Sequence, residues 1–198
     1  MVFSGRNLSI CCLAVLTFGA GAPLASAAED PLANQLVVEE QQFEPGAFED
    51  PGICSGCHGD IHAQWSESMH AYAWENEFYQ NDYRLAHEET DGATDVFCGA
   101  CHAPIAARTG QLPPYDGSRF DDTSRRGISC DFCHTVTAVE QPYNLRNVSD
   151  PGSVKYGPRD DGSSPYHGIE YSPLHSSAKF CGACHNVKLP MNGIMIID

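Results

Sequence analysis

Four stretches decide how this chain reads: Cys54-Ser55-Gly56-Cys57-His58, Cys98-Gly99-Ala100-Cys101-His102, Cys130-Asp131-Phe132-Cys133-His134 and Cys181-Gly182-Ala183-Cys184-His185. Each places two cysteines three positions apart with a histidine directly after. Two thiols at that spacing can form thioethers with the two vinyl groups of one porphyrin, and the adjoining imidazole is then held at the iron. A zinc ribbon uses cysteine pairs but needs no histidine after each one. A redox dithiol of the thioredoxin kind occurs once, not four times. The pattern therefore predicts four covalent haem c groups. Cys54, Cys57, Cys98, Cys101, Cys130, Cys133, Cys181 and Cys184 are the expected attachment points, and His58, His102, His134 and His185 the expected proximal iron ligands.

The rest of the chain fits an exported protein. Arg6 precedes a largely apolar run from Leu8 to Leu24, and Ala25-Ser26-Ala27 is a small-residue cleavage site, so residues 1–27 read as a secretory signal peptide. Gly19, Gly21 and Pro23 interrupt the run and leave it short of the ~20 apolar residues a membrane span needs. Cys11 and Cys12 leave with that segment, so every remaining cysteine belongs to a motif. Haem c attachment takes place outside the cytoplasm, which agrees with export to the periplasm or beyond. The mature chain is expected to have no membrane span.

Charge narrows the partners. The 198 residues carry 11 Lys and Arg against 26 Asp and Glu, a formal charge of −15 that becomes −16 once Arg6 is removed. This balance excludes a nucleic-acid binder. It favours redox protein partners with a basic docking face. Residues 28–52 hold seven acids and no Lys or Arg, and read as an acidic arm ahead of a domain at 53–198. Thirteen prolines and 18 glycines are spread along the chain. The expected fold is mainly α with extensive irregular chain, wrapped around four haems that serve as its core. A helix is expected from Asp60 to about Gln80, capped by Asp60 and striped by Ile61, Trp65, Met69, Tyr72 and Ala73. A further helical segment is expected over 81–89, ended by Asp91-Gly92. A straight helix from His58 to His70 would span roughly 18 Å, so His70 is expected to reach an iron other than the one beneath His58.

These motifs resemble the cytochrome c-554 family and its multihaem relatives. Cys57-His58 followed by Trp65, Ser68, His70 and Ala71 matches that family's C-x-x-C-H then W-x-x-S-x-H-A pattern. Cys101-His102-Ala103-Pro104, Gly127 through His134, and Ser172-Pro173-Leu174-His175 with Phe180 through His185 look like its later motifs. The resemblance covers about residues 53–188. It implies a mainly α tetrahaem fold with closely packed haems and an electron-carrier role. It also implies that His70 is the sixth ligand of the haem on Cys130 and Cys133.

Five histidines remain for the sixth positions: His62, His70, His87, His167 and His175. His167 is preferred for the first haem, His175 for another, and His87 for the second, while His62 reads as a surface or supporting residue. The family's second haem lacks a protein ligand on its distal side, and its fourth takes one from beyond the fourth motif. Here no histidine follows His185. The fourth haem is left with an upstream histidine, one from another chain, Met191 or Met195, or none. Three function classes follow: an electron carrier, a subunit of a larger multihaem complex or filament, and a small nitrogen- or sulfur-oxide enzyme using a five-coordinate haem. Oligomerisation stays open.

Overall fold

The computed structural model describes residues 43–188 and the strand Met195–Ile197. The expected signal peptide, the acidic segment before residue 43, and Met191 lie outside the described residues. The fold is a mixture of short helices and small sheets, so the mainly α expectation gives way in part. Helices run over Pro51–Ser55 (α1), Gly59–Ser66 (α2), Glu77–Thr90 (α3), Asp95–His102 (α4), Pro104–Arg108 (α5), Cys130–His134 (α6) and Ala178–His185 (α7). Strands Val136–Gln141 (β1) and Arg146–Ser149 (β2) form an antiparallel hairpin, and Val154–Gly157 (β3) pairs in parallel with Gly168–Tyr171 (β4). A third pair joins Val187–Lys188 (β5) to Met195–Ile197 (β6). The hairpin forms where β-branched Val136, Thr137 and Val139 cluster. It turns through Asn144 and Leu145, both left-handed at φ 51° and 55°.

The helix expected from Asp60 to Gln80 stops at Ser66. Residues 67–75 form turns, in which the Ser68 N–H donates to the Trp65 carbonyl (2.8 Å) and the Ser68 hydroxyl accepts from Ala71 N (3.4 Å). A serine that bonds nearby backbone competes with helix in this way. Asn76 then starts a new helix, its Oδ1 accepting from Tyr79 N at 3.1 Å. The far end is as expected, with Asp91 left-handed at φ 51° and Gly92 following at φ 80°.

The protein core gathers Phe48, Trp74, Tyr83, Leu112, Phe120 and Phe132 around the small residues of α4 and α5. Ala100, Ala103, Ala106 and Ala107 let those aromatics approach closely. Arg108, only 2% exposed, ends α5 inside this core. Its guanidinium donates to the Asn147 carbonyl (2.7 Å) and Oδ1 (3.0 Å) and lies 5.9 Å over the Phe132 ring. Residues 43–48 pack here too. Phe43 N donates to Arg108 O at 2.8 Å, and Phe43 meets Phe48 edge-on at 5.6 Å.

One loop anchor makes a pH prediction. Asp121 Oδ1 accepts from Ser124 N at 2.7 Å and Oδ2 from the Gln111 amide at 2.8 Å. Partial burial pushes the carboxyl up, but these hydrogen bonds outweigh it and hold the group below its ordinary 3.8. The group is more acidic folded than unfolded, so its contribution is present above about pH 4 and is lost as pH falls further. Asp121→Ala should cost about 1 kcal/mol at pH 7. Guanidinium unfolding followed by circular dichroism from pH 3 to 7 should show the difference between variant and parent shrink toward the acid end.

Candidate functional site

Each cysteine motif sits on a helix end. Cys54 lies on α1, whose start is capped by Asp50 Oδ1 accepting from Gly52 N at 2.7 Å, and His58 N–H returns to Cys54 O at 2.9 Å. The second, third and fourth motifs close α4, α6 and α7, each ending on its histidine. A helical turn brings residues i and i+3 to one side, which is what two thioether bonds to one ring require. Among the described residues the eight motif cysteines form no disulfide with one another. They also lie near one another across motifs. Cys54 and Cys130 share a side-chain hydrogen bond, as do Cys101 and Cys184, while Cys133 feels Cys184, Cys130 and Cys181. Burial, aided by those neighbours, pushes the Cys133 thiol up to about 12. In space the motifs therefore follow the order first, third, fourth, second.

The histidines form facing pairs. His58 and His167 have ring centres 6.4 Å apart, His134 and His175 6.0 Å, and His70 and His185 6.1 Å. A metal bound between two imidazoles at about 2.0 Å from each nitrogen sets the ring centres about 6 Å apart, so each pair fits one six-coordinate iron. Backbone contacts support them. His134 Nδ1–H donates to Tyr156 O (2.7 Å) and His102 Nδ1–H to Ala73 O (2.8 Å), which makes Nε2 of each the nitrogen that could ligate a metal. His175 differs, because its Nε2 donates to Cys133 O at 3.0 Å and its buried Nδ1 is without a partner. That orphaned nitrogen is itself a fit to a metal. Burial lowers the basicity of His70, with a lesser contribution from His185, and burial likewise lowers His102 and His175. Neutral imidazole is the form that ligates. A cavity of about 450 Å³ runs between His70 and His185 and reaches Cys133, Cys184 and His102.

His70 is held by a device spread over the Trp65–Ala71 motif and the residues before the third cysteine pair. Ile128 N donates to His70 O at 2.9 Å, and the Trp65 indole N–H donates to Ile128 O at 2.8 Å. Gly127 makes this approach at φ 61°, where a Cβ would sit 2.4 Å from His70 O. Because the chain turns between Ser66 and Glu77, the straight-helix distance from His58 to His70 does not apply. His70 faces His185 of the fourth motif, whereas the family resemblance implied the third.

His87 does not face His102. A buried carboxylate, Asp95, holds its Nδ1 at 2.9 and 3.0 Å, and its ring stacks on Tyr115 at 3.8 Å. The ring against His102 is Tyr79, parallel within 7° and 3.6 Å away. Its buried hydroxyl has no hydrogen-bond partner. His62 lies one turn from His58 and packs on Trp65 at 5.4 Å. Tyr79 was not among the sequence candidates, although its spacing of four from Tyr83 marks an inward aromatic face on α3. Asp131 was missed as well. It occupies a variable position of the third motif, yet it is 2% exposed and binds Lys155 Nζ and, at 2.8 Å, Glu49 N.

Residues 53–135 match the family described as cytochrome c554 and c-prime. The fold matches the crystal structure of a penta-heme cytochrome c552 from Thermochromatium tepidum with a TM-score of 0.55 and 20% sequence identity. That match covers 77% of this chain and 49% of the other, so the chain spans about half the length of that protein. No curated protein matches the chain.

Proposed function

We propose that this chain is a multihaem c-type cytochrome that is exported, carries four haem c groups and passes electrons between redox proteins, a reading supported by the family and fold matches. The observation that carries the reading is the set of three facing imidazole pairs at 6.0–6.4 Å. His58 with His167, His134 with His175, and His185 with His70 would each hold one iron, bound through the preceding cysteine pair. His102 would hold the fourth. Bound haem supplies one-electron chemistry. The protein's part is to fix ligand type and burial, which set the potentials, and to keep the four sites close together. The cysteine contacts between motifs one and three, three and four, and four and two support a single file for the electron.

A second reading has one observation behind it. The ring beside His102 is Tyr79, and His87 is engaged by Asp95. An iron there with an open position would bind a small oxide or nitric oxide, and the chain would then act as an enzyme at that haem. The purified protein should contain four haems per chain by mass and pyridine haemochrome assay. Fewer than three would overturn the tetrahaem reading. Electron paramagnetic resonance should show at least three low-spin haems. A high-spin signal that responds to nitric oxide would move the weight to the second reading.

A further inference from the structure

We propose that the outward face of α3 is the docking surface for a redox protein whose own face is basic with an apolar centre. The inference rests on the electron-carrier reading and names the surface and partner chemistry for it. Phe78, Asp82, Leu85 and Glu89 recur at i, i+4, i+7 and i+11, which puts them on one stripe of the helix. All four are exposed. Phe78 is 83% exposed and Leu85 52%. Ile53, Met69 and Tyr166, also exposed, adjoin residues of the cysteine motifs or the facing imidazoles in sequence, and Ile61 lies on the helix that follows the first motif. Phe78 and Leu85 lie instead roughly 100–160° around the helix from the inward Tyr79 and Tyr83.

Glu77 and Glu88 are exposed beside the stripe. The helix's one strong base, Arg84, is tied to Glu88 at 2.8 Å. The face is therefore an apolar centre within an acidic rim. A second copy of this chain docking isologously would set acid against acid, and an anionic lipid surface would be repelled in the same way. A basic protein is attracted. The position also suits the task. Tyr79 stacks on His102 at 3.6 Å from the opposite side of α3, so a partner on the outer face stands about one helix diameter, ~10 Å, from that site. In the step itself one electron passes between the partner's iron and a haem of this protein, and no bond forms or breaks.

The test uses the full holoprotein and a small basic monohaem cytochrome c as probe, with electron exchange followed by stopped flow across a salt series. Asp82→Lys with Glu89→Lys should slow bimolecular exchange about tenfold at low salt and flatten its salt dependence. Phe78→Ser should weaken complex formation several-fold with the salt slope retained. Asp160→Lys with Asp161→Lys makes the same change in net charge elsewhere and should have a much smaller effect. An equal loss in that control, or no loss in the α3 pair, overturns the proposal. So does a wild-type protein that exchanges electrons with small inorganic titrants but not with the basic probe, or one that dimerises through Phe78. If the haems exchange with neither titrants nor probe, the electron-carrier reading fails instead. Unchanged haem spectra and circular dichroism in the variants show that folding is not the cause.

Discussion

His70→Ala is expected to abolish one low-spin haem signal while leaving haem content unchanged. On the proposed reading the thioethers and His185 would hold that haem, so removing the opposite imidazole would vacate a sixth position without releasing the cofactor. His70→Met should keep the iron six-coordinate and raise one midpoint potential by on the order of 0.1 V, a modest part of the ~0.8 V range that axial ligands set. Spectroelectrochemistry of wild type and both variants reads this directly. Which haem changes also matters. A shift in the haem on Cys181 and Cys184 agrees with the facing of His70 and His185 at 6.1 Å. A shift in the haem on Cys130 and Cys133 would restore the pairing that the family resemblance implied. No spectral change would remove His70 from the iron altogether.

Asp131→Ala is expected to cost about 3 kcal/mol of stability, in the range for breaking one side of a buried ion pair. The Asp131 carboxylate joins three segments. It accepts from Glu49 N at 2.8 Å, it binds Lys155 of β3, and it sits within the third cysteine motif on α6. Its side chain is 1% exposed and that of Lys155 13%. Alanine would leave the ammonium largely out of water with Gly152 O and the half-exposed Glu49 as its remaining partners. Asp131→Asn retains an acceptor for Glu49 N and should lose less. Denaturant unfolding at matched haem content checks both. Equal stability for the alanine variant would mean that bound haem, rather than this network, clamps the segment 43–50 onto α6.

The cysteine motifs were legible in the sequence because their signature is local. Two thiols and an imidazole within five residues leave a signature that needs no tertiary context, and its repetition argues against zinc and disulfide readings. The end of α3 at Asp91-Gly92 was legible for the same reason, since a left-handed cap has its own residue preference. The hairpin at 136–149 was not. Its strands are short, and its turn uses Asn144 and Leu145 rather than a glycine pair. The break after Ser66 was hidden because the apolar stripe continues past it in helical rhythm. Trp65 and Met69 keep the spacing while the backbone turns between them.

The sequence by itself determined the four cysteine pairs with their adjoining histidines, the pattern from which haem attachment is proposed, and the acidic net charge. It also showed that five histidines lie outside the cysteine motifs as candidates for the opposite positions. Only the tertiary structure decided which of them face which. His58 meets His167, His70 meets His185, and His134 meets His175, across separations of 41 to 115 residues in the chain. It also put Tyr79, not His87, against His102. The reason is physical. A proximal ligand is positioned by the backbone turn that carries its cysteines. An opposing ligand is positioned by packing between distant segments, here by Gly127 and Ile128 closing on the His70 carbonyl, and no local pattern encodes where such segments meet.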